Sequence, residues 1–137
     1  MKLLSKLLIA VALLIVAPAL AQAPKKAVAS AELRKEFDAF LVKFRAALKA
    51  NDVGAVVALT KLPFMEDATT GDEAKFRAKI YPDNFSKKTR ACIASKKAVY
   101  SRDQLGKDNF FIFCGESIFV FTKTPQGFLF TEIGAND

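Results

Sequence analysis

Two cysteines, Cys92 and Cys114, and the absence of histidine bound the chemistry this chain can carry. Without histidine, the commonest general base and the commonest transition-metal ligand are both missing. The cysteines lack the close Cys-x-x-Cys spacing of a redox-active pair, and two thiols allow a single intramolecular bridge. Once bridged, they leave no thiolate for a nucleophile or a sulfur-ligated metal. No glycine-rich phosphate loop and no Gly-x-Ser-x-Gly elbow occurs. Carboxylates and tyrosines remain. Glu66-Asp67 and Asp72-Glu73 flank a polar loop and could gather a hard cation such as calcium, which wants several oxygens. The alternating Asp-x-Asp spacing of a calcium loop is absent, so these four read as a solvated loop and a helix cap. Glu116 reads as an exposed turn residue. Tyr81 and Tyr100 could line a cavity or donate to a ligand, or simply bridge core and surface as amphipathic rings do. No metal and no cofactor is expected.

The other concentration of chemistry is cationic. Lys87, Lys88, Arg90, Lys96, Lys97, Arg102 and Lys107 face a single acid, Asp103, across residues 86–107. A Cys92–Cys114 bridge would pin this strip against a sheet edge as a semi-rigid basic patch. Anionic lipid, lipopolysaccharide or an acidic partner protein would fit it, and a solvated face with no dedicated ligand is the plain alternative. Nucleic acid is not expected as a ligand, given the compartment argued next.

Those residues are carried by a chain whose first 21 positions read as a secretory leader. Lys2 and Lys6 form the basic n-region, 7–16 is an unbroken apolar run, and Ala17-Pro18-Ala19-Leu20-Ala21 supplies small residues for a peptidase. Cleavage is expected after Ala21, and the run is too short to span a bilayer as a mature helix. No cysteine follows it to carry a lipid anchor. The expected product is a periplasmic or secreted, soluble protein with no transmembrane segment. In that oxidising compartment the two cysteines are expected to form a disulfide, worth about 3 kcal/mol for a loop of this length in the chain-entropy model. Without Lys2 and Lys6, 19 basic and 14 acidic side chains remain, a net of +5. That balance favours anionic envelope components without demanding them.

Residues 22–29 read as a frayed, disordered N-terminus and 30–137 as one domain, large enough for a real core. Ser30 caps a long helix whose Leu33, Phe37, Phe40, Leu41, Phe44, Ala47 and Leu48 recur at three- and four-residue steps. Asp52 opens a short second helix through Thr60. Leu62-Pro63-Phe64-Met65 reads as a brief extended segment. Thr70 and Glu73 read as a capping box opening a helix that Pro82 stops near Tyr81, and a further helix is expected over 83–93. From 99 onward the texture is β. Strands are expected at 110–114, 118–122 and 128–133, with a weaker one at 99–102, joined by turns into an antiparallel meander. Seven of the thirteen phenylalanines lie between 110 and 130. Strands so continuously apolar are expected to be covered on both faces, one by the long helix, the other by more protein, a partner or a ligand.

Helices packed on a curved C-terminal antiparallel sheet give an α+β class. The long helix at 31–50, the phrase from Ala47 to Leu59 and the terminal Gly127-Phe128-Leu129-Phe130-Thr131-Glu132-Ile133 resemble the nuclear transport factor-like, ketosteroid isomerase-like superfamily of cone-shaped (cystatin-like) domains. The resemblance implies a cavity between sheet and helices, used for catalysis, ligand binding or homodimer formation. None of the family's catalytic positions maps onto this chain. The expected function is therefore a non-catalytic exported domain that binds an envelope protein or an anionic envelope component. The alternative is a small-molecule isomerase, lyase or hydrolase using a carboxylate in the helix–sheet cavity.

Overall fold

Ser30 accepts the Leu33 amide on its Oγ at 3.1 Å and so opens α1 (Ala31–Lys49). The computed structural model describes residues 27–137, so the leader, its cleavage point and most of the 22–29 tail lie outside the described residues. Along α1 the apolar stripe Phe37, Phe40, Leu41, Phe44, Ala47 and Leu48 is buried, as its periodicity requires. Asp52 then caps α2 (Val53–Ala58) through the Ala55 amide at 3.1 Å. The chain leaving α2 lies parallel to the last strand: Phe130 donates to the Leu59 carbonyl and accepts from the Lys61 amide.

Between 62 and 86 the structure departs from expectation in three places, the first two because a local hydrogen bond competes with the expected one. The segment expected to be extended closes instead into a 3-10 turn, Phe64–Glu66, with Met65 and Glu66 at φ of 54° and 59°. It is held by Phe64 N–H to Gly71 C=O and Gly71 N–H to Asp67 C=O, both 2.7 Å. A Cβ on Gly71 would stand 2.3 Å from the Phe64 carbonyl oxygen, so only glycine fits there. Thr70 is not the helix cap. Its hydroxyl donates to Asp67 at 2.6 Å, and Asp72 caps the helix by accepting the Lys75 amide at 2.8 Å. Glu73 turns to Arg77 instead of reaching back.

Pro82, expected to stop the helix, does not. The helical course runs through α3 (Glu73–Lys75), a π-helical turn (Phe76–Ile80) and α4 (Tyr81–Asn84). Pro82 occupies the first turn of α4, where a missing N–H forfeits little. The helix expected over 83–93 is accordingly split: α4 ends at Asn84, and Ser86 caps a separate α5 (Lys87–Ser95) through the Thr89 amide.

The β half follows the expected meander with longer strands. β1 (Val99–Arg102), β2 (Asp108–Cys114), β3 (Ser117–Thr124) and β4 (Gly127–Ala135) pair antiparallel in the order β1-β2-β3-β4. A register shift between Val120 and Phe121 marks a bulge. Register aligns Phe110, Phe121 and Phe130 across three strands. On that face α1 seats its own rings: Phe37 stacks on Phe110 at 3.9 Å between centroids, and Phe44 meets Phe121 edge-on at 5.0 Å. Eleven of the thirteen phenylalanines join this single core, so the space between helices and sheet is filled. Cys92 on α5 and Cys114 at the end of β2 form the expected disulfide, tying the helical layer to the sheet.

The remaining phenylalanines, Phe111 and Phe113, face away from α1, and no other part of the described chain covers that second face as it covers the first. Phe113 is 41% exposed, and Phe111 is only half-buried. The continuous apolar run reflects one packed face plus an open apolar face.

Candidate functional site

The open face of the sheet carries a concavity of about 590 Å³. Because side chains alternate along a strand, its floor comes from the residues between the core phenylalanines. These are Asn109 and Phe111 of β2, Val120 and Thr122 of β3, and Leu129 and Thr131 of β4. Walls come from opposite edges of the sheet. Lys61, Met65 and Glu66 stand beside β4, and Asp103 and Lys107 come from the β1–β2 loop. The β3–β4 turn, with Lys123 just before it, closes one end.

A hydrogen-bond chain crosses the floor. Asn109, only 7% exposed, donates its amide to the Lys107 carbonyl at 3.2 Å and to Asp103 at 3.4 Å. Its carbonyl accepts from the Thr122 hydroxyl at 2.7 Å. With that proton committed, the Thr131 hydroxyl, 2.8 Å away, is the donor to Thr122. The floor therefore offers hydroxyl lone pairs beside the apolar surface of Phe111, Val120 and Leu129.

Charges at the rim are largely paired. Glu66 bonds Lys61 at 3.0 Å, and that bond, with the field of Lys107, lowers its carboxyl pKa. Asp103 accepts the backbone amides of Lys107 and Leu105, and these bonds, that from Lys107 foremost, lower its pKa. Lys123 contacts Glu36 of α1. Apart from Glu132, an exposed carboxylate opposite Val120 in register, the concavity floor offers no titratable group and no nucleophile beyond threonine hydroxyls, so the arrangement suits binding more than acid–base chemistry.

A second concavity, about 820 Å³, lies between the π-helical turn and the end of β4. Its floor is Phe64, Ile80 and Ile133, and its polar groups serve one another. Lys79 pairs with Asp83 at 3.4 Å, and Asp67 is bonded within its own loop by Thr69 and Thr70.

Apart from Glu66, Asp103 and Lys107 at the first concavity and Asp67 at the second, the residues singled out from the sequence fall elsewhere. Tyr81 is buried and donates to Asn51 Oδ1 at 2.8 Å, and burial raises its phenol pKa. Tyr100 is buried and donates to Asp108 at 2.5 Å, a bond that raises its pKa. Neither lines either concavity. Arg90 is structural: its guanidinium donates to the Leu48 carbonyl at 3.0 Å, closing the end of α1. Arg45 of α1 reciprocates by donating to the Ile93 and Lys96 carbonyls at the end of α5. Lys87 and Lys88 are exposed at the start of α5 and Lys96 and Lys97 at its exit, and none of them bonds either tyrosine hydroxyl. Cys92 and Cys114 are consumed in the bridge. Glu66, Asp67, Asp72, Glu73 and Glu116 are all exposed. Among the described residues, no three metal-ligating side chains cluster.

Asn109, Thr122 and Thr131 escaped the sequence reading because nothing local tells that they lie side by side. The one available signal was a polar residue next to each apolar run, which becomes a row only once register is known. Comparisons with protein-family models, with curated proteins and with solved structures find no match to this chain.

Proposed function

We propose that this chain is an exported, non-catalytic binding domain on the cone-shaped plan of the nuclear transport factor-like superfamily, and that it takes its ligand on the open face of the sheet. The observation that carries the reading is the concavity itself, which sets hydroxyl acceptors beside Phe111 and Leu129. The ligand class this suits is a small flat molecule with an apolar body and one or two donors. Export is supported by the disulfide, and the cone by a long helix laid across an antiparallel meander. The departure from the family's plan is the helix–sheet space, which phenylalanines fill. A carboxylate-dependent isomerase, lyase or hydrolase has less support, because that space is occupied and the five acids considered for it face solvent.

Ligand-observed NMR with a set of aromatic alcohols and amines tests the proposal. Wild type should bind members of the set, and Leu129→Trp, which fills the floor, should weaken them at least about tenfold, or 1.4 kcal/mol, with its melting temperature retained. Equal binding to both proteins, or none to wild type, would defeat it.

A further inference from the structure

The lysines at the two ends of α5 have no structural employment, which sets them apart from the arginines around them. Arg45 and Arg90 are spent on helix ends, and Arg102 is bonded to Asp108. Lys87, Lys88, Lys96 and Lys97 form no ion pair among the described residues. Between Asp83 and Asp103 there is no acidic residue to offset them. Lys87 and Lys88 also stand in the first turn of α5, which holds no acid, so their charge adds to the positive end of the helix dipole. Stability alone disfavours that placement.

They flank one exposed helix face. Ile93 buries the inner face of α5, whereas Lys87, Lys88, Ala91, Ala94 and Ser95 recur at helical spacing on the exposed side. The two lysine pairs bracket seven helical residues, 89–95, about 10 Å at about 1.5 Å rise per residue. Between them only alanine and serine stand above the helix surface, so the ammonium groups reach furthest out. The face is held rigid by the Cys92–Cys114 bridge and by Arg45. Lysine is a point charge without the planar fork with which arginine reads an individual phosphate or carboxylate. With lysines at both ends, only small exposed side chains between them and a rigid anchorage, the surface suits an array of mobile anionic headgroups better than one shaped ligand.

We propose that the exposed face of α5 docks this protein on an anionic phospholipid bilayer, with Lys87, Lys88, Lys96 and Lys97 meeting the headgroups. The surface is distinct from the sheet concavity, and vesicle binding and fragment binding can each fail without the other. The test is sedimentation of the purified oxidised protein with vesicles of phosphatidylglycerol and phosphatidylcholine, and with phosphatidylcholine alone. Binding is expected only to the anionic vesicles. It should vanish at about 1 M salt, where the Debye length is about 3 Å. Lys87→Gln/Lys88→Gln should lower partitioning about 30-fold, and adding Lys96→Gln/Lys97→Gln should abolish it. Lys35→Gln/Lys43→Gln on the exposed side of α1 removes the same charge and should change it far less. All variants are surface changes, and a thermal melt confirms their folding. No binding by wild type, equal binding to neutral vesicles, or equal losses in the α1 and α5 variants would each overturn the proposal.

Discussion

Tyr100 illustrates how a side chain that looks functional in a sequence is used for structure. Its hydroxyl donates to Asp108, which Arg102 also engages at 3.2 Å, so edge strand β1 is fastened to β2 by a three-residue polar clamp. The bond to Asp108 and, after it, burial hold the phenol pKa above its ordinary 10.0. A pKa raised in the folded state means that the fold binds the proton more tightly than the unfolded chain does. That contribution is complete below the unfolded value and is lost as pH rises through the folded one. Stability should therefore fall as pH climbs past about 10, and Tyr100→Phe should flatten that alkaline limb while costing about 1 kcal/mol at neutral pH. Urea unfolding at a series of pH values checks both, and an unchanged alkaline limb in the variant would rule out Tyr100 as its source.

Among the elements, the helical course from 72 to 84 turns on which oxygen reaches the first free amides. Two candidates stand two residues apart, and Asp67 decides between them by engaging the Thr70 hydroxyl. Asp72→Ala should destabilise the protein by about 1 kcal/mol, the usual loss for a helix cap. Thr70→Ala should leave the helix intact and loosen only the 67–70 loop. Chemical denaturation together with amide exchange at Lys75 separates the two, and greater Lys75 exposure in Thr70→Ala would reverse the assignment. Arg45 and Arg90 work at the same scale. Each leaves its own helix to bond the carbonyl end of the other, so the last turns of α1 are stapled twice to α5. Periodicity cannot announce such a pair, because both residues look like ordinary surface cations.

At the scale of the whole molecule, two kinds of constraint join helices to sheet: the phenylalanine core and the Cys92–Cys114 bridge. Replacing both cysteines by serine should lower stability by about 3 kcal/mol, read as a lower denaturant midpoint with the fold retained. An unchanged midpoint would mean that the core alone holds α5 in place. The α+β class, α1, the meander and the disulfide were all legible in the chain, since each rests on local periodicity, turn residues or the count of cysteines. The open sheet face was not. Phe111 and Phe113 look identical in sequence to Phe110 and Phe119, yet only the latter two are buried, Phe110 against Phe37 of α1 and Phe119 against Phe85, and a period of two assigns faces without saying which face is covered. The row Asn109–Thr122–Thr131 exists only through inter-strand register, and that register depends on all three strands packing under α1. Local covalent order thus determined which elements form. The tertiary structure decided which surfaces those elements leave to solvent, because burial is a property of neighbours distant in the chain.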